Sequence, residues 1–140
     1  MFKLKPYSAS ILALGGFMLV AMGAYFVFIR PTLLPEDYRY IGTTPLFIQE
    51  KIPQLSIWLQ KVFWVLGAYV FTSGLLTIFI ARTSFRTRVS GVYGIVAISG
   101  TSSIGFMTIV NFMIESDFRW VLLSFTVSWI VALILYLLHK

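Results

Sequence analysis

The amino-acid sequence predicts an all-α integral membrane protein, a four-helix bundle with a partly helical loop between its first two crossings. Two observations carry that expectation. Hydrophobic residues make up 59% of the 140 residues and charged residues 11%, with a mean hydropathy of +0.89, whereas a soluble domain carries about 25% charged residues. The few charges are also segregated. Residues 6–29, 62–81, 89–114 and 120–138 contain no Asp, Glu, Lys or Arg, in windows of 24, 20, 26 and 19 residues. A helix rising about 1.5 Å per residue needs about 20 residues to cross the hydrocarbon. Each window is long enough for one crossing. Their apolar character is continuous rather than alternating, which selects helices over barrel strands, because in lipid every backbone N–H and C=O has to be paired within its own segment or a closed sheet.

The first helix is expected at about 7–29. Lys3 and Lys5 ahead of an apolar run resemble the start of a signal peptide, but the run continues through Tyr25-Phe26-Val27-Phe28-Ile29, too long for a signal core. The loop 30–53 carries its own helix signals. Pro35, then Glu36 and Asp37, then Arg39 and Gly42 have the proline-and-acid start, basic end and glycine stop of a short helix. Thr44-Pro45 offers a second start, and Leu46, Phe47 and Ile48 would lie along the interface. Pro53 marks entry into a second helix at about 54–81, where Leu55, Trp58, Leu59 and Val62 recur at helical spacing. A third helix is expected at about 89–114 and a fourth at about 119–138, all within a single domain.

Four crossings leave both termini on one side. That side carries Lys3, Lys5, Arg82, Arg86, Arg88 and Lys140 in short segments, whereas Arg30, Arg39, Lys51, Lys61 and Arg119 lie opposite, most of them spread along one long loop. Density of positive charge therefore predicts cytoplasmic termini and, for a bacterial protein, an inner-membrane location. All the acids (Glu36, Asp37, Glu50, Glu115 and Asp117) fall on the outer side. The basic face suits anionic lipid, and its run 82–88 reads as a topology signal rather than a nucleic-acid site.

Chemistry is constrained by absences in the sequence. There is no cysteine, and the one histidine is His139, which excludes thiolate chemistry and histidine-rich metal sites within this chain. No cofactor is expected. No ionisable residue lies within any window, which argues against a proton-coupled pump. In the third helix Ser90, Gly94, Ala97, Thr101, Gly105, Thr108 and Asn111 follow at steps of 4, 3, 4, 4, 3 and 3, drawing one small and polar stripe. Such a stripe is a helix-packing seam or, with Ser102 and Ser103 beside it, the lining of a solute route. Small residues also mark the first helix (Ala9, Ala13, Gly16, Gly23) and the second (Gly67, Gly74, Thr77, Ala81). Glu36, Asp37, Arg39, Glu115, Asp117 and Arg119 form an outer charged cluster, expected as a solvated ion-pair network before a catalytic one.

The stretch Leu34-Pro35-Glu36-Asp37-Tyr38-Arg39-Tyr40-Ile41-Gly42, followed by Trp58-Leu59-Gln60-Lys61-Val62-Phe63-Trp64 and Gly74-Leu75-Leu76, resembles bacterial four-helix membrane proteins of the DoxX-like group. The resemblance covers under half the chain and implies a four-helix bundle without implying an activity. Three functions follow from the residues. The leading one is a non-catalytic subunit or scaffold packing against lipid and other transmembrane helices, as a homo-oligomer or within a larger complex. The others are a carrier or pore for a neutral or hydrophobic solute, and a membrane enzyme acting on lipid through the outer carboxylates.

Overall fold

The computed structural model describes residues 5–138, without the side chains of Lys5 and Pro6. Lys3, His139 and Lys140 lie outside the described residues. In chain order the helices are α1 (Lys5–Phe28), α2 (Pro35–Ile41), α3 (Pro45–Lys51), α4 (Pro53–Ile80), α5 (Val92–Gly100), α6 (Phe106–Met113) and α7 (Arg119–Leu138). π-Helical turns at Ala81–Phe85 and Thr101–Gly105 continue α4 and join α5 to α6. Four helical stretches are therefore long and apolar enough to cross a membrane: Tyr7–Phe28, Pro53–Phe85, Val92–Met113 and Arg119–Leu138. No strand is present among the described residues.

Proline begins α2, α3 and α4, where its missing N–H removes a donor that would have no helical partner. At α2 the Asp37 carboxylate reaches back to accept the Leu34 N–H at 2.8 Å, and Gly42 ends the helix at φ +73°. At α3 the Thr44 hydroxyl accepts the Phe47 N–H at 3.2 Å.

α1 lies between α4 and α7, and α7 in turn packs on α5, α6 and the turn between them. The α1–α4 seam is the closest. A Cβ placed on Gly23 would stand 2.7 Å from the Gly67 carbonyl oxygen, and one on Gly74 would stand 2.7 Å from that of Gly16. These four glycines let the two backbones touch, the mode of association that works where lipid supplies no hydrophobic drive. Ala9, Ala13, Thr77 and Ala81 are buried along the same pair. On the other side of α1, Leu12 and Leu19 are buried with Leu122, Trp129 and Ala132 of α7.

Two boundaries differ from the sequence expectation. The second long helix does not stop at residue 81, and the stretch 82–88 is not a loop: helix continues to Thr87, and the chain turns between Arg88 at φ +58° and Gly91 at φ +83°. Burial is the reason. Ala81 and Phe85 are fully covered, Phe85 stacking 4.4 Å from the Tyr136 ring, while Arg82 and Arg86 project from the exposed side. The third helix accordingly begins at Val92 rather than residue 89, and its π turn alters which residues face inward.

Candidate functional site

Around Thr101–Gly105 the third long helix, Val92–Met113, departs from the 3.6-residue period that defines its polar stripe. Its buried residues are Val92, Val96, Gly100, Ile104 and Thr108, a constant step of four. In a straight α-helix such a line would drift by about 40° per step. The wider π turn offsets part of that drift and keeps the line on one face. Of the stripe residues, Thr108 is buried, Ala97, Gly105 and Asn111 are half-buried, and Gly94 and Thr101 are exposed, with nothing within 4 Å of the space a Gly94 side chain would fill.

The inner face is held to α7 by specific bonds. The Trp129 indole lies flat against Gly100, and its Nε1–H donates to the Val96 carbonyl at 3.0 Å. One turn on, the Thr108 and Thr126 hydroxyls meet at 2.8 Å, and both also reach the Ile104 carbonyl, at 2.8 and 3.3 Å. The Asn111 amide donates along its own helix to the Met107 carbonyl at 2.9 Å.

A cavity of about 290 Å³ lies between α4 and α5, with Leu12 and Trp129 at its base. Its polar lining is Ser73 and Thr77 on α4 and Ser99, Ser102 and Ser103 on the third long helix. Ser102 and Ser103 were candidates from the sequence; Thr101 is not part of the lining. Ser73 and Trp129 are not anticipated by the sequence, although Ser73 and Thr77 stand four apart on one helix face. Ser73, Thr77, Ser102 and Ser103 donate to their own helices, to the carbonyls of Tyr69, Ser73, Ile98 and Ser99. Those four hydroxyls offer the cavity lone pairs, so its polar wall suits a neutral molecule that brings N–H or O–H donors.

The charged residues of α2 and the α6–α7 turn, with Arg30, form pairs rather than one constellation. The Arg30 guanidinium sits 3.7 Å over the Phe63 ring and donates to Asp37 at 3.1 Å and to the carbonyls of Pro31 and Thr32. Glu36 is buried and accepts the Ser116 hydroxyl at 3.3 Å. Arg39 donates to Asp117 at 3.2 Å and to the Glu115 carbonyl at 3.4 Å, both groups well exposed. Asp37 and Asp117 thus each have their own arginine, and α2 is clipped onto the α6–α7 turn, which Glu115 closes at φ +53°. Among the described residues no cluster of His, Cys, Asp or Glu gathers to hold a metal ion. Comparison with protein-family models, curated proteins and solved structures finds no match to this chain.

Proposed function

We propose that the chain is a multi-pass inner-membrane protein with cytoplasmic termini and an outward 30–53 segment, acting as a non-catalytic subunit or scaffold that packs its third crossing against a further transmembrane helix. A DoxX-like kinship belongs to the same proposal and adds no activity to it. One observation carries the function: Gly94 and Thr101 are exposed beside half-buried Ala97, with open space over Gly94, while a separate line of residues on that helix makes the contacts to α7. A helix whose own fold does not use its small face has that face free for close approach by another backbone. The partner helix belongs to a second copy or to a larger complex.

Gly94→Leu tests this. The variant should keep its helix content, since no neighbour occupies that space, and lose its partner or second copy when sized by light scattering in mild detergent. An assembly of unchanged mass would overturn the scaffold assignment. The cavity supports a second reading, a carrier for a neutral donor-bearing solute, with Ser73, Thr77, Ser102 and Ser103 along the route.

A further inference from the structure

The basic segment near the end of α4 divides into two kinds of arginine. Arg88 has a structural role: it donates to the Tyr136 carbonyl at 2.8 Å and lies 4.3 Å over the Tyr136 ring. A cation there meets the orphan carbonyls at the C-terminal end of α7. Arg82 and Arg86 are exposed, and among the described residues neither donates to a protein oxygen; the Arg82 guanidinium lies 5.9 Å from the centre of the Phe17 ring. No acid is at hand, because Glu36, Asp37, Glu50, Glu115 and Asp117 all belong to α2, α3 or the α6–α7 turn, at the opposite end.

The two arginines are four apart on a helical stretch, so they project to the same side, where like charges repel. Between them and α1 runs a groove of about 620 Å³ whose other wall is Ala9, Ser10, Ala13, Leu14 and Phe17. That is about twenty times the volume of a water molecule, too much for a bare anion, and the α1 wall is mostly apolar, with Ser10 its one polar side chain among four apolar ones. An occupant that satisfies both halves is negatively charged at one end and hydrocarbon at the other.

We propose that this groove holds one anionic phosphoglycerolipid, its phosphate bridged by the guanidinium groups of Arg82 and Arg86 and an acyl chain lying along Ala13, Leu14 and Phe17. The site rests on the membrane reading above. Guanidinium forks match phosphate oxygens in pairs, and the anionic leaflet supplies that phosphate on the side to which the positive-inside rule assigns these arginines. The lipid neutralises the repulsion between the two cations and covers the apolar wall. The site therefore selects by headgroup charge, with zwitterionic lipid filling the groove less tightly.

Native mass spectrometry of the full chain, released from detergent with equal amounts of phosphatidylglycerol and phosphatidylcholine, reads the occupancy directly. One phosphatidylglycerol per chain should be retained in preference, and each arginine replaced by glutamine should reduce that preference about tenfold, the equivalent of one charge-assisted hydrogen bond. Arg82→Lys with Arg86→Lys keeps the charge, removes the fork and should still lower retention; this pair decides the matter if the glutamine pair fails to insert. Lys61→Gln, at the other end, should change nothing. Equal retention of the two lipids, full retention by the lysine pair, or displacement of the lipid by millimolar inorganic phosphate would each overturn the site. Flotation with phosphatidylcholine vesicles after carbonate extraction separates the two levels. A chain that stays with the vesicles but shows no headgroup preference overturns the lipid site alone, and one that is stripped off overturns the membrane reading.

Discussion

Glycine plays opposite parts at two positions of this chain. Gly23 is pressed against α4, with the Phe71 Cα and the Gly67 carbonyl oxygen each 2.7 Å from where its Cβ would be. Those neighbours are backbone atoms, so they can move only if the helices move. Gly23→Ala should therefore destabilise the fold by about 1–3 kcal/mol, the usual range for overpacking, measured by reversible unfolding in bicelles. Gly94 meets nothing within 4 Å, and Gly94→Ala should be neutral or should stabilise the helix by up to about 1 kcal/mol. Equal effects at the two sites would contradict the seam. Trp129 shows the same logic from the larger side: its ring fits only because residue 100 has no side chain.

The π turns are the features of the helices with the widest consequences. Both fall where serine and threonine crowd together, at Thr83-Ser84 and at Thr101-Ser102-Ser103. Hydroxyls there bond back to carbonyls four residues earlier: Thr83 to Phe79, Thr101 to Ala97, Ser102 to Ile98 and Ser103 to Ser99. Such bonds compete with the helical ladder and bend it. The second turn also presents the Ile104 carbonyl to Thr108 and Thr126. A double-mutant cycle of Thr108→Val and Thr126→Val should show a coupling of about 0.6 kcal/mol, the average for interhelical hydrogen bonds in lipid, with an upper limit near 1.7. A coupling indistinguishable from zero would mean that the two hydroxyls do not meet.

Taken together, the helices follow the packing order α4, α1, α7, then α5 and α6, and much apolar surface faces outward, including Phe28, Tyr69, Phe79, Ile98, Phe106 and Leu138. Spread over every long helix, that surface suits hydrocarbon rather than a single docking patch. The ion pairs sit at one end: Arg30–Asp37 with little solvent exposure, and Arg39–Asp117 in the open, where a pair contributes about 0–1 kcal/mol. The proposed orientation predicts that Thr43→Cys labels with an impermeant thiol reagent in intact cells and that Thr87→Cys labels only after the membrane is breached. The reverse pattern would invert the topology.

An all-helical chain with four long apolar helices was legible in the sequence because membrane crossing depends on length and mean hydropathy, properties that sum along the chain and need no knowledge of neighbours. The glycines and alanines of the first two long helices could be marked for the same reason: on an α-helix, small residues at steps of three, four and seven share a face. The third long helix is different. Two residues of its stripe, Gly94 and Thr101, are exposed, whereas Thr108, beyond the π turn, is buried in line with Val96, Gly100 and Ile104, because a fixed period cannot keep the two ends of a stripe on one face once a π turn changes the angle per residue between them. The division of 82–88 into one structural arginine and two unpartnered ones also depended on packing. Arg88 ends the helix that carries Arg82 and Arg86 and lies beside Tyr136 of α7, a contact across 48 residues that tertiary packing creates and local composition does not encode.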